Sequence, residues 1–234
     1  MKIDSLRGKF IHNRPVGASG EFISGKEINS MGYRAPEFDT VSWKDSIVIF
    51  GCSNVFGIGL SKDDTIGAQL ERLVGIPVIN LGVPSGSIKI CMLNQLALHE
   101  IEERPRAVVN CWTSSYRTVL WDDNSNWPNH IGHWILDERT SGHGMLETNN
   151  TLWSKIMSDR NRQIEAIYNK RLADVLWKKT KHAEITFFPD IQKLFGIPCV
   201  TLDDHGTDNA HPGPKTALKV AKEIAHQLQF PMLV

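Results

Sequence analysis

Ser53 stands in the segment GCSNVFGIGL, directly after the apolar run SIVIF at residues 46–50. Gly51 and Gly57 bracket it, which places the serine on a tight turn between a strand end and a later helix start. Such a turn exposes a hydroxyl. A serine is a weak nucleophile until a base takes its proton, so this reading demands a histidine and, behind it, a carboxylate to orient the ring. The segment DNAHPG near the C-terminus supplies both. Asp208 and His211 are three residues apart, a spacing that lets a carboxylate reach Nδ1 of the imidazole while Nε2 faces the serine. Attack on a carbonyl also needs donors for the oxyanion that develops, a large share of the rate in acyl transfer. The turn NLGVPSGS offers the Gly82 N–H, and the amide of Ser53 itself is a second donor.

These residues need a scaffold that brings residue 53 to residue 211. Short β-branched or aromatic runs at 46–50, 77–81, 107–112, 184–188 and 197–201 read as buried strands. Helical periodicity fills the intervals at 64–74, 87–103 and 161–179, and a last helix is expected over 214–228. Apolar strands alternating with helices predict an α/β fold. Its sheet is parallel and covered on both faces, because parallel neighbours need crossover connections. In such sheets the ligand crevice lies beyond the carboxyl ends of the strands, where Ser53 falls.

The chain has 234 residues, enough for one sizeable core, and a single domain over 1–234 is expected. Two segments stand outside the periodic pattern: a polar, turn-rich N-terminal extension over 1–45 and an aperiodic insertion over 117–160. The 26 basic and 26 acidic residues cancel, which disfavours a nucleic-acid or anionic-membrane partner. Cys52, Cys91, Cys111 and Cys199 are scattered without zinc spacing and read as reduced thiols. The N-terminus shows no signal-peptide apolar region, and no run is long enough to span a bilayer, so a cytoplasmic location is expected.

Taken in order, these residues resemble the SGNH hydrolases of the GDSL type. Their blocks are a serine turn, a glycine turn, an asparagine after the third strand and a C-terminal DxxH. The resemblance covers about residues 29–228. It implies a three-layer, flavodoxin-like α/β/α fold around a five-stranded parallel sheet. It also implies a serine esterase or acyl hydrolase that needs no cofactor or metal and acts on a small-molecule, carbohydrate or lipid ester. By it, Ser53 is the nucleophile, Asp208 and His211 complete the triad, and Gly82 is an oxyanion donor. INSMGYRAPEF is similar to an asparagine-glycine-arginine segment that leads into the serine block in some members. Three positions depart from the pattern. Cys52 replaces the usual acid before the serine, and Ser85 stands where a second glycine is common, with Gly86 one place later. Ser115 falls at or near the asparagine of the third block, because Asn110 lies too early, inside the strand. A hydroxyl of Ser114 or Ser115 would then serve as donor, and losing one such donor costs about 10²–10³ in rate.

Other residues carry weaker signals. His130 and His133, followed by Asp137 and His143, have a spacing compatible with a metal, but the flanking WPNHIGHW reads as an irregular loop rather than a ligand-bearing helix. Trp121, Trp127 and Trp134 are among four tryptophans, of seven in the chain, within the insertion. They are candidates for a wall over the crevice that contacts an acyl group or sugar, or equally for loop anchors. Arg34 and Arg117 are candidate anchors for an anionic substrate group, with a surface salt bridge the simpler role. The oligomeric state has no signature. An acyltransferase would use the same parts as an esterase, and a non-catalytic module binding carbohydrate or another chain is the alternative from a different class.

Overall fold

Five consecutive buried residues, Ile47–Gly51, form strand β1, and parallel partners cover both of its edges. Ile47 sits opposite Val78 of β2 (Val78–Gly82) and Ala107 of β3 (Ala107–Trp112). β3 in turn pairs in parallel with β6 (Lys181–Thr186), giving the order β2-β1-β3-β6. The computed structural model describes residue 10 and residues 28–101, 103–120, 129–132 and 158–233.

The strand period of two divides the core between the two faces of the sheet. Val48, Phe50, Val108 and Trp112 point to one side, against helix α3 (Ile88–His99) and the inner face of α4 (Asp159–Leu176). Ile47, Ile49, Val109 and Cys111 point to the other, against α2 (Ile66–Val74) and α6 (Pro214–Leu228). Two shorter helices join them: the single turn α1 (Ser53–Phe56), whose Val55 belongs to the second cluster, and α5 (Pro189–Phe195), whose Ile191 belongs to the first. The caps follow from the sequence: the Thr65 and Ser87 hydroxyls accept the Ala68 and Ile90 amides, and Gly75 closes α2 in the left-handed conformation.

The α/β class and the parallel sheet match the sequence expectation, with three differences in detail. Four strands make the described sheet. Residues 197–201, expected as a fifth, contribute one parallel bridge, Thr186 to Cys199, at the edge beside β6. The expected strand over 184–188 lies earlier, because its first half, Lys181 and His182, is exposed and carries no apolar signal. The polar N-terminal extension places aromatic residues in the core: Phe10 stacks on Trp43 at 6.0 Å and meets Phe38 at 5.3 Å. Within the insertion, β4 (Thr118–Leu120) and β5 (Asn129–Ile131) form an antiparallel ribbon. No helix among the described residues is long and apolar enough to cross a membrane.

Candidate active site

At the carboxyl end of β1 the chain turns sharply. Gly51 has no room for a side chain, since a Cβ there would meet Val55 Cγ2 at 2.4 Å. Cys52 is extended and caps α1, so Ser53 is the first helical residue. Gly57, at φ 84°, ends the turn by donating its amide to the Ser53 carbonyl. The strand-to-helix junction thus fixes Ser53 at the sheet edge with only 6% of its surface exposed.

The partners of Ser53 come from the loop before α6. That loop is closed at its base by Asp204, whose carboxylate accepts the Lys215 and Thr216 amides at 2.9 and 2.8 Å and the Thr216 hydroxyl at 2.8 Å. A bridge between His205 and Pro212 and the Gly206 amide on the His211 carbonyl narrow it. Asn209 turns its tip with φ 55°, in the left-handed region that asparagine tolerates. Asp208 Oδ1 accepts the Ala210 and His211 amides, both at 3.1 Å, while its Oδ2 bonds His211 Nδ1. His211 Nε2 lies 2.9 Å from Ser53 Oγ. An ionised carboxylate can only accept, so Nδ1 carries the ring proton and Nε2 is left to accept from the serine hydroxyl. Burial pushes the Asp208 carboxyl up, but the hydrogen bonds from His211 and Ala210 outweigh it and hold the group below the ordinary carboxylate range.

The two loops touch at Gly59. Its carbonyl accepts the Thr207 amide at 2.9 Å and the Thr207 hydroxyl at 3.3 Å. A Cβ on Gly59 would meet Asp208 Oδ1 at 2.8 Å, and its φ of +78° suits glycine alone. Gly59→Ala is therefore expected to displace the carboxylate and lower kcat about 10²-fold, the usual effect of misplacing a reacting group by about 1 Å. Steady-state kinetics with an activated ester checks this, and a kcat within twofold of wild type would show that the loop contact does not set the alignment of Asp208, His211 and Ser53.

The remaining expected donors are engaged inside the fold. The Gly82 amide donates to Asn80 Oδ1 at 2.9 Å, and Asn80 Nδ2 donates to the Val55 carbonyl at 2.7 Å. Glycine is required at 82 because a Cβ would meet the Phe56 amide nitrogen at 2.4 Å, so the residue lets α1 pack on β2. Asn80 escaped the sequence reading. Its signal was a polar residue in an otherwise apolar buried strand, PVINL. Ser115 directs both its amide (2.9 Å) and its hydroxyl (2.8 Å) to Asp190 Oδ2, which also accepts from Ser114 Oγ at 3.3 Å. Ser85 takes φ 58°, the left-handed conformation that a glycine would adopt freely. No described residue accepts the Ser53 amide.

Arg34 does not lie at the surface as the sequence suggested. Arg34 is buried and donates to backbone carbonyls of residues 57 and 60, at 2.6 and 2.8 Å. The Arg117 guanidinium lies 5.1 Å from the Phe188 ring centroid. All four cysteines are free, and Cys52, Cys91 and Cys111 are buried. Burial pushes the Cys91 thiol up to about 12, which leaves it unreactive near neutral pH. Trp121, Trp127, Trp134, His133, Asp137 and His143 lie outside the described residues, and for His130 the backbone pairing with Val119 is described. Among the described residues, Asp174, His182 and Glu184 bring ligand atoms together, but Lys170 already bridges Asp174 (2.6 Å) and Glu184 (2.9 Å).

A groove of about 730 Å³ opens at the opposite end of the sheet, lined by Arg104, Arg106, Lys178, Lys179 and Lys181. Arg104 donates to the Leu176 carbonyl and Lys181 to that of Leu228, the last residues of α4 and α6. These cations answer the negative ends of two helices, and the groove is separate from Ser53.

No protein-family model matches this sequence, and comparison with curated proteins finds no relative. Among solved structures, a chain from Bacteroides ovatus ATCC 8483 described as a GDSL-like lipase aligns with a TM-score of 0.42 at 18% identity. The alignment covers 82% of this chain and 56% of that one. AlinE4, an SGNH-hydrolase family esterase, aligns with a TM-score of 0.36 at 15% identity, over 83% of this chain and 77% of its own. This chain thus spans little more than half the length of the first of these proteins.

Proposed function

We propose that this chain is a serine hydrolase that cleaves a carboxylic ester through an acyl intermediate on Ser53. The observation that carries the reading is the line of Asp208, His211 and Ser53, with 2.9 Å between His211 Nε2 and Ser53 Oγ. In the reaction, His211 Nε2 takes the hydroxyl proton as Ser53 Oγ bonds to the ester carbonyl carbon. Asp208 holds the ring by Nδ1 and stabilises the imidazolium. His211 then gives its proton to the departing alcohol, leaving an acyl-serine. Water, deprotonated by the same nitrogen, releases the acid and restores the hydroxyl.

The oxyanion falls to the Ser53 amide at the start of α1. The Gly82 amide and Ser115 hydroxyl would serve only after leaving Asn80 and Asp190. Each missing donor slows turnover by about 10²–10³, so a slow esterase is expected. That same engagement is the observation that favours the competing reading, a non-catalytic binding module. Substrate is placed no more finely than a small-molecule or carbohydrate ester, with Trp121, Trp127 and Trp134 proposed to border the crevice and set its selectivity. An acyltransferase would pass the acyl group to an alcohol in place of water.

A fluorophosphonate probe separates enzyme from module. Wild-type protein is expected to carry one adduct, mapped to Ser53 by mass spectrometry, at a rate unchanged by chelators, because activation comes from His211 and not from a Lewis acid. Protein left unmodified at high reagent concentration would overturn the triad.

A further inference from the structure

We infer that Arg34 is a positioning residue for the triad: its guanidinium clamps the glycine turn after the nucleophile, and through that turn holds Asp208 and His211 in register with Ser53. The inference rests on the triad reading above.

An arginine with 4% of its surface exposed needs strong partners for its guanidinium, because burying a cation without them is costly. Here Nη1 donates to the Gly57 carbonyl at 2.6 Å and lies 3.5 Å from that of Phe56, and Nη2 donates to the Leu60 carbonyl at 2.8 Å. The carbonyls of Phe56 and Gly57 lie at the C-terminal end of α1, where a cation is favoured and orphan acceptors need donors. The planar fork spans acceptors on both sides of the turn, which a point charge on a flexible stem does not do.

Past the Ser53 carbonyl, which accepts the Gly57 and Ile58 amides, the turn is braced from within by one backbone bond, from the Leu60 amide to the Gly57 carbonyl at 3.2 Å. Gly57 and Gly59 both adopt positive φ, and neither has a side chain to fix the loop by packing. Held from one side by Arg34, it is held from the other by Thr207, whose amide and hydroxyl both donate to the Gly59 carbonyl. Thr207 immediately precedes Asp208. The path from guanidinium to triad carboxylate therefore runs through one short turn and one residue.

Arg34 is fixed in turn by its own segment. Asn29 Oδ1 accepts the Met31 and Tyr33 amides, both at 3.0 Å, and its Nδ2 donates to the Pro36 carbonyl. The Tyr33 ring is buried, and Asn94 Nδ2 of α3 donates to its hydroxyl at 3.0 Å. This tight arch explains why a polar stretch before the first strand is built into the core: it presents one cation to the nucleophile turn.

The test uses Arg34→Lys and Arg34→Met in the full chain, with fluorophosphonate labelling rates and p-nitrophenyl acetate kinetics on protein shown to be folded by circular dichroism. The expected result is a fall of about 10–10² in both kcat and labelling rate, KM within threefold of wild type, and partial recovery in the lysine variant, which keeps the charge. A folded lysine variant that labels and turns over at the wild-type rate overturns the inference even if the methionine variant fails to fold. A loss confined to KM, with labelling unchanged, also overturns it and returns Arg34 to anchoring substrate. Wild-type protein that is not labelled at Ser53 overturns the triad reading and this inference together. Wild type labelled at Ser53 with labelling unaffected by Arg34 removes this inference alone.

Discussion

Ser53→Ala and His211→Ala are each expected to lower kcat by about 10⁶-fold, and the double variant is expected to fall no further. The physical reason is that the two residues act as one device. Without the imidazole, the Ser53 hydroxyl keeps its proton and is no better a nucleophile than water. Without the hydroxyl, the imidazole has nothing to activate at 2.9 Å. Either loss leaves only what binding and the Ser53 amide supply, so the second removal costs nothing more. The oxyanion donors multiply the triad's effect in parent and variant alike, so the ratio survives even if the parent is slow. Neither change should unfold the protein, because Ser53→Ala removes one oxygen and His211 makes its polar contacts at a loop tip. Kinetics on matched, folded preparations check this. Additive losses in the double variant, or single losses below about tenfold, would assign ester cleavage to other groups.

What could be read from the chain depended on how local each signal was. The strand Ala107–Trp112 and the helix Pro214–Leu228 matched their expected bounds, because a run of apolar residues interrupted only by Asn110 and a proline-started amphipathic segment are each complete within their own residues. That Ser53, Asp208 and His211 would meet was legible for a related reason: the proposed roles of nucleophile, base and orienting carboxylate impose strict residue types. Their meeting across 158 positions follows from strands whose carboxyl ends share one edge.

Non-local features were not legible. Gly82 looked like an oxyanion donor because its type and place fitted, yet its glycine is demanded by the Phe56 backbone that packs on it. Ser115 had the right chemistry, but Asp190, 75 residues away, takes its hydroxyl and amide. Arg34 read as a surface cation because nothing in the sequence says which carbonyls will surround it. In each case the residue type was informative and the partner was not, since partners are chosen by the packing of distant segments. The same holds for β6, whose charged half gives no apolar pattern although its backbone pairs with β3 throughout.

Asp208→Asn is expected to lower kcat by about 10⁴-fold while leaving fluorophosphonate access to the crevice intact. Asp208 accepts three N–H groups, the Ala210 and His211 amides on Oδ1 and the His211 ring on Oδ2. An asparagine side chain has one oxygen and one NH₂. If the oxygen keeps the two backbone amides, as the loop geometry requires, the NH₂ faces the ring and forces the proton onto Nε2. Nε2 then points a hydrogen at Ser53 and cannot take the hydroxyl proton. The substitution is nearly isosteric, so the loss is one of tautomer rather than of shape. It carries a second, separable signature in stability. The folded-state pKa of Asp208 is depressed, so its contribution is fully present above the unfolded carboxylate value of about 3.9 and is lost as pH falls through the lower folded value. Wild type should therefore be more stable than Asp208→Asn at neutral pH, and the gap should close only in strong acid. Denaturant unfolding at pH 7 and at successively lower pH measures this. A variant with wild-type kcat would remove Asp208 from the triad, and a stability gap that widens on acidification would contradict its ionised, hydrogen-bonded state.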